Sequence, residues 1–321
     1  MITNIKPIEY KGYLIRENDH GKSLILNDAQ IEQSSKFIIK ESIDGLEINS
    51  ALGYNKSNLD ILEMFTSIKH IRINNHTINL KGLYFVKNLE TLYLGEESNQ
   101  EFDFSSFENL NRCSFSWKKK SESIFELKNL KWLSLAKFPF DDLENMSVFK
   151  NLEYLGVGNC KLKSLLCSVK LTNLIELSLS SMPLITSLEG INSYPNIIDL
   201  DFYDMKNLSN IESIKLLSKL EKLSFENCKN LGNINSISSL DKLEALYIDN
   251  CDKIESLKPI TNLNKITKLH FIESTNIVDG DLSPLSNKKI KSVYFQDRRH
   301  YSNKIIDFQN QIPPSSYTQI K

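Results

Sequence analysis

The sequence predicts an α/β-type, mostly β solenoid of about twelve stacked coils, in which each coil adds one short strand to a parallel sheet on the concave side and returns along the convex side through 3-10 or extended segments. Two observations carry this expectation. The first is a repeat: "KLEKLSFENCKNLGNINSISSL" runs directly into "DKLEALYIDNCDKIESLKPITNL". Leu220, Leu223, Phe225, Cys228, Leu231, Ile234, Ile237 and Leu240 are answered 23 residues later by Leu243, Leu246, Ile248, Cys251, Ile254, Leu257, Ile260 and Leu263. The second is the internal spacing, which is three throughout except for a single step of two. That rhythm fits neither a helical stripe at 3.6 nor a long alternating strand. The two-step sets Leu223 and Phe225 on one side of a short strand, and the three-steps turn the chain so that each later apolar residue also points inward.

Taken in order, the chain opens with residues 1–42, which do not fit the repeat. "YKGYLIREN" and "KSLILND" are β-rich runs separated by Asn18, Asp19, His20 and Gly21, a turn-forming cluster, so a β-hairpin is expected. An end coil has no neighbour to cover its apolar edge, and the simplest role for this segment is an N-terminal cap. From Ile43 the first apolar residue of each strand core recurs at Ile68, Leu89, Leu110, Leu130, Leu152, Leu174, Ile197, Leu220, Leu243, Ile266 and Ile290. The solenoid is therefore assigned to residues 43–300. Residues 301–321 leave the repeat, and Pro313-Pro314 forbids helix and ladder pairing there, so this end is read as a C-terminal cap or tail.

The Leu-x-x-Leu-x-Leu-x-x-Asn/Cys pattern, over roughly residues 43–298, resembles the leucine-rich repeat, and its short period resembles the internalin-like bacterial class. The resemblance implies a right-handed superhelix. Cys160, Cys228 and Cys251 occupy the Asn/Cys position, where a buried thiol approaches turn backbone, while Cys113 takes a strand-core position and Cys167 the outer side. The pattern is broken at Glu97, Lys118, Phe138, Met182, Met205, Ser274 and Arg298, and the two methionines are expected to fill space instead.

Composition narrows the function classes. With 39 basic and 40 acidic residues and a net charge of -1, no global field draws nucleic acid or an anionic membrane. No apolar run is long enough to span a bilayer, and the start "MITNIKPIEYKGYLIREND" lacks a basic region followed by an apolar one, so a cytoplasmic location is expected. Without a Cys-x-x-Cys pair, neither a metal site nor a cofactor is expected. Asp199, Asp201 and Asp204 alternate along a strand without the Gly-containing loop that wraps calcium. Lys118, Lys119 and Lys120 read as a solvated loop. No P-loop, Gly-x-Ser-x-Gly, His-Glu-x-x-His or dinucleotide turn occurs, and His20, His70, His76, His270 and His300 are scattered, so an enzyme is not expected.

What remains is the outward side of the parallel strands. Its later coils read as acidic with aromatics, through Glu176, Asp199, Asp201, Tyr203, Asp204, Glu226, Tyr247 and Asp249. Its earlier coils carry His70, Arg72, Tyr93, Arg112, Trp117, Trp132 and Tyr154. Stacked carboxylates repel one another, and Tyr and Trp beside them offer rigid contact area. The expected partner-binding residues are Glu176, Asp199, Asp201, Tyr203, Asp204, Glu226, Tyr247 and Asp249 with Trp132 and Tyr154. The expectation is a non-enzymatic module that grips a basic protein, for which a bacterial immunity protein neutralising a toxin or nuclease domain is one candidate. The alternative is an exported, internalin-like adhesin or virulence factor that binds a host protein.

Overall fold

A spacing of three residues has a direct structural outcome, because a 3-10 helix turns once every three residues and eclipses positions i and i+3. In the coil that returns through Glu212–Leu216, Ile211, Ile214, Leu217 and Leu220 are linked in succession by Ile214 N–H to Ile211 O, Leu217 N–H to Ile214 O and Leu220 N–H to Leu217 O, at 2.9, 2.9 and 3.0 Å. All four side chains are buried. The same 3-10 return recurs at Asp60–Phe65, Leu80–Phe85, Ser121–Glu126, Glu144–Val148, Asn235–Ser239 and Lys258–Asn262. The returns between strands are thus made of 3-10 and extended segments, as the spacing requires.

The computed structural model describes residues 6–18, 20–74, 78–95, 101–286 and 288–309, arranged as two compact units, Met1–Ala136 and Lys137–Lys321. In the first unit, β1 (Ile8–Tyr10), β2 (Tyr13–Asn18) and β3 (Gly21–Ile25) form an antiparallel meander. Helix α1 (Ile31–Glu41) follows, and then β4 (Gly45–Asn49), which pairs parallel to β3. The parallel ladder continues through β5 (His70–Asn74), β6 (Thr91–Leu94), β7 (Arg112–Ser116) and β8 (Trp132–Ala136). The expected hairpin is therefore present, but as part of a three-stranded meander followed by a helix that the sequence reading did not foresee. Helix α1 buries Ile31, Ser34, Phe37 and Ile38 and leaves Ile39 77% exposed; a serine in the middle of the inner face conceals the apolar stripe.

In the second unit the strands are β9 (Tyr154–Gly158), β10 (Glu176–Ser180), β11 (Asp199–Tyr203), β12 (Lys222–Glu226), β13 (Ala245–Asp249), β15 (Lys268–Phe271) and β17 (Ser292–Phe295), all parallel. A two-stranded pair, β14 (Lys253–Ile254) and β16 (Asn276–Ile277), lies outside this sheet. Each strand of the main parallel ladder from β4 onward begins two residues after a repeat position named above, from Ile43 to Gly45 through to Ile290 and Ser292.

The core is a set of columns. Leu200, Leu223, Leu246, Leu269 and Val293 stack in register, and beside them Phe202 and Phe225 lie 5.1 Å apart and nearly parallel. Met182 and Met205 are fully buried, so they do fill the space that Asn or Cys leaves elsewhere. All five cysteines are free and buried. Cys228 Sγ reaches Glu226 O at 3.5 Å and Cys251 Sγ reaches Asp249 O at 3.3 Å, so both thiols satisfy turn backbone. At the far end Tyr301 is buried against Phe271 and Phe295, its hydroxyl accepts from Ile277 N–H at 3.0 Å, and Phe308 of α2 (Ile305–Gln309) covers Phe295. Glu97, His76 and the Pro313-Pro314 segment lie outside the described residues.

Candidate functional site

Strand alternation fixes what the sheet presents. In the second unit, three rows run across the strands on the side away from the core. The first is Tyr154, Glu176, Asp199, Lys222, Ala245, Lys268 and Ser292. The second runs Gly156, Ser178, Asp201, Ser224, Tyr247, His270 and Tyr294, and the third runs Gly158, Ser180, Tyr203, Glu226 and Asp249. Tyr203 and Tyr247 therefore project from the same face, Tyr203 half exposed and Tyr247 partly buried. Glu176 and Glu226 are exposed, and Tyr154, Asp199, Asp201 and Asp249 partly so.

The electrostatics of these rows departs from a simple acidic strip. Lys222, which the sequence reading passed over, sits in register beside Asp199. Its ammonium lies 3.0 Å from both Asp199 oxygens and 3.2 Å from Asp201 Oδ1. Burial pushes the Asp199 carboxyl up, the Asp201 carboxylate adds to the rise, and Lys222 opposes it. For Lys222 burial is the largest single influence and acts downward, but the two aspartates together outweigh it and raise its pKa. Asp249 is also pushed up by burial, although it accepts the Ile272 N–H at 3.2 Å; no cation pairs with it among the described residues.

Asp204 has a different placement from the one expected. It lies one residue beyond β11 with φ +52, and its carboxylate accepts from Ser181 Oγ at 3.3 Å and from Asn227 Nδ2. It is one rung of a column of left-handed residues that close the strands: Lys137, Asn159, Ser181, Asp204, Asn227, Asn250 and Glu273, all with φ between +51 and +58. Asn and Asp tolerate that conformation better than most residues. Asn250 Nδ2 donates to Asn227 Oδ1 at 3.2 Å, so the column bonds to itself. Asp204 is thus a turn residue with its oxygens engaged.

Two aromatic groups that the reading did not assign to the face belong to it. His270 stands edge-on to both Tyr247 and Tyr294, with ring centroids 4.9 and 4.6 Å away, and its Nε2 is 2.9 Å from Ser292 Oγ. Burial, with a smaller push from Lys268, lowers its pKa to about 4, so the ring is neutral near pH 7. The signal was available, since His270 and Tyr294 hold the strand position that Tyr247 holds. Tyr154 is likewise partly withdrawn from water, which raises its phenol pKa.

In the first unit, Trp132 faces outward on β8 beside Arg112 of β7, whose guanidinium carbon is 5.4 Å from the indole ring. Tyr93 meets Trp132 edge-on at 5.6 Å. Trp117 is not on this face. It follows β7 and packs on Phe115 and Phe125 at 6.1 and 5.6 Å. Lys119 and Lys120 pair with Glu101 at 3.0 and 3.3 Å on the surface, in keeping with a solvated loop.

Among the described residues no group of three His, Cys, Asp or Glu side chains is placed to hold a metal, and no helix is long and apolar enough to cross a membrane. A depression of about 310 Å³ is bounded by Tyr13, Leu14, Asn27 and Gln30, and one of about 360 Å³ by Tyr84, Glu101, Phe102, Asp103 and Lys120.

Strands in register, 3-10 returns and buried Leu columns give the chain the architecture of a leucine-rich repeat solenoid. Within it, residues 179–302 match the family profile described as BspA type leucine rich repeat region, six copies. No curated protein matches the chain. Among solved structures it is similar to an internalin (inlF) from Listeria monocytogenes, with 20% identity, 79% of this chain and 74% of that one covered, and a TM-score of 0.60. A leucine-rich repeat protein from Leptospira interrogans matches at 19% identity over 78% and 76% of the two chains, with a TM-score of 0.46. At these identities the likeness is one of fold. An open sheet face lined by tyrosines and carboxylates is consistent with a protein-binding role.

Proposed function

We propose that this chain is a non-enzymatic protein-binding module whose second unit receives a basic protein surface on its open sheet, and that it serves in the cytoplasm as a bacterial immunity protein that occludes a toxin such as a nuclease. The observation that supports this is the spread of Glu176, Asp199, Asp201, Glu226 and Asp249 over four adjacent strands, against the two ammonium groups of Lys222 and Lys268. Two of these carboxyls, Asp199 and Asp249, are held partly out of water at a cost to the fold. A cationic partner would offset that cost, and its approach would be steered by the excess of negative charge. Tyr203, 50% exposed among these charges, supplies the rigid amphipathic contact that interface centres favour.

The test is binding of a lysine-rich peptide, and of basic proteins captured from native lysate, at low and moderate salt. Retention that falls with salt and drops about tenfold or more in Asp201→Lys/Asp249→Lys supports the reading. Binding that survives the double reversal removes the acidic section as the interface. The rival reading, an exported adhesin, draws on the fold likeness to an internalin, and recovery of the protein outside the cell would favour it. A toxin-like gene directly upstream would favour the neutraliser.

A further inference from the structure

We propose that the open sheet face of the first unit carries a second binding site, of opposite charge preference, in which the guanidinium groups of Arg72 and Arg112 receive the carboxylates of an acidic polypeptide segment. The site is built by four consecutive strands, β5 to β8. Arg72 of β5 lies in register with Tyr93 of β6, and Arg112 of β7 with Trp132 of β8. The Arg72 guanidinium carbon is 5.1 Å from the Tyr93 ring centroid, and that of Arg112 is 5.4 Å from the Trp132 centroid. Cation and ring alternate along the sheet.

The rings are fixed. The Tyr93 hydroxyl accepts from Arg112 Nε at 3.4 Å and lies 3.4 Å from His20 Nε2, and Tyr93 meets Trp132 edge-on. His20 is itself stacked on His70, whose Nδ1 is 3.0 Å from Thr91 Oγ1. A guanidinium resting on such a ring keeps its in-plane donors for an oxyanion, and it carries five N–H groups. Among the described residues no carboxylate pairs with Arg72 or Arg112.

Among the described residues, the acid whose charge acts on Arg72 is already committed. Glu47, only 1% exposed, takes Arg16 through Nε to Oε2 at 2.6 Å and through a terminal nitrogen to Oε1 at 3.2 Å, and the same Oε1 accepts from Asn49 Nδ2 at 3.2 Å. Asp44 and Glu90 lie toward the starts of the strands, 3.7 Å from His70 Nε2 and 2.8 Å from Lys69 Nζ respectively. Burial lowers the Arg72 pKa, and Glu47 opposes that only in part. A cation has therefore been drawn partly out of water without an ion pair among the described residues, which is unfavourable unless a partner supplies the anion.

The geometry favours a polypeptide over a nucleic acid. Arg112 covers the Trp132 ring and Tyr93 meets its edge, so a base would have to displace them to stack, and two guanidiniums do not make the basic stripe that tracks a phosphate backbone. Arg72 and Arg112 stand two strand spacings apart and two residues out of register, about 12 Å, a span that the side chains of an extended glutamate-rich segment can bridge.

Trp132 is a built-in reporter. Replacing Trp117 by Phe leaves it as the single tryptophan of a chain that has two. We expect an octaglutamate peptide to change Trp132 emission saturably at low salt, and the matched octaglutamine peptide to leave it unchanged. Arg72→Gln/Arg112→Gln should weaken the glutamate peptide by about tenfold or more. Arg72→Lys/Arg112→Lys should retain part of the binding, and Asp201→Lys/Asp249→Lys, in the other unit, should leave it intact. Should the double glutamine variant fail to fold by circular dichroism, Arg72→Gln alone, which removes no hydrogen bond among the described residues, should still weaken binding several-fold. No saturable response to the glutamate peptide, an equal response to the glutamine peptide, undiminished binding by the glutamine variants, or tighter binding of a single-stranded oligonucleotide would each overturn the proposal. None of these outcomes bears on whether the second unit binds a basic partner.

Discussion

Replacing Lys222 by Met removes the one ammonium that holds Asp199 and Asp201 together while keeping the length of the side chain. The native group lies 3.0 Å from both Asp199 oxygens and 3.2 and 3.5 Å from those of Asp201. All three side chains are about one-third exposed, so each ion pair is worth about 0.5–1 kcal/mol after solvent screening. Removing the cation also unmasks the repulsion of two carboxylates that share it and so lie within about 6 Å, roughly 1 kcal/mol at an effective dielectric constant of about 50. Lys222→Met should therefore destabilise the chain by about 2 kcal/mol at pH 7, a fall of about 4 °C or less in Tm for a chain of this size. The pH dependence supplies the decisive check. The folded pKa of Asp199 is already raised, and loss of Lys222 raises it further, so the unfolded state gives up its proton first as pH rises and the penalty is complete above the folded pKa. As pH falls through the carboxylate range the deficit should shrink toward zero. Thermal melts followed by circular dichroism between pH 7 and about pH 2.5, below the ordinary carboxylate range, measure both quantities. A variant as stable as the parent at pH 7, or a deficit that persists once the carboxylates are protonated, refutes the clamp.

Leu246→Ala should cost about 2–5 kcal/mol, because Leu246 is fully buried in register between Leu223 and Leu269 and its removal opens a cavity; urea unfolding that shows less than about 1 kcal/mol contradicts the column. Thr275 is buried and uses its hydroxyl twice, accepting from Cys251 N–H at 2.9 Å and donating to Ile248 O at 2.7 Å. Thr275→Val should cost about 1–3 kcal/mol and Thr275→Ser much less; equal costs would mean that the methyl group, and not the hydroxyl, matters. Asp249→Asn should raise Tm at pH 7, since the amide oxygen can still accept from Ile272 N–H without a charge being withdrawn from water. The gain should fade as pH falls, because Asp249 protonates more readily in the folded state, and a gain independent of pH would assign it to packing.

The fold was legible because its defining positions recur at constant offsets. Leu223, Leu246 and Leu269 each announce the others, and the step of three dictates the 3-10 return without any tertiary information. Helix α1 was not legible, as it is a single element with Ser34 in its buried face and Ile39 out in solvent. The left-handed column was concealed for another reason. What repeats at Lys137, Ser181, Asp204, Asn227 and Glu273 is a backbone angle, and residues of five kinds adopt it. On the open face, alternation correctly gave the side on which Tyr203, Glu226 and Tyr247 project, but alternation does not give partners. Whether a carboxylate is already engaged depends on the residue one coil away, which is how Lys222 and Asn227 escaped notice beside Asp199 and Asp204.

That distinction separates acids that hold the fold from acids available to a partner, and the separation can be measured. Asp204 sits at φ +52 with bonds from Ser181 and Asn227, whereas Glu226, exposed one strand further on, pairs with no cation among the described residues. Asp204→Ala removes two hydrogen bonds and a side chain suited to the left-handed region, and should cost about 1–2 kcal/mol of stability. It should change affinity for a lysine-rich peptide little, because its charge is already spent on the column. Glu226→Gln should do the reverse: stability within about 0.5 kcal/mol of the parent, as for most exposed substitutions, and weaker, less salt-sensitive peptide binding. If Asp204→Ala weakens the peptide more than Glu226→Gln does, the partner meets the strand-end turns and not the open face of the sheet.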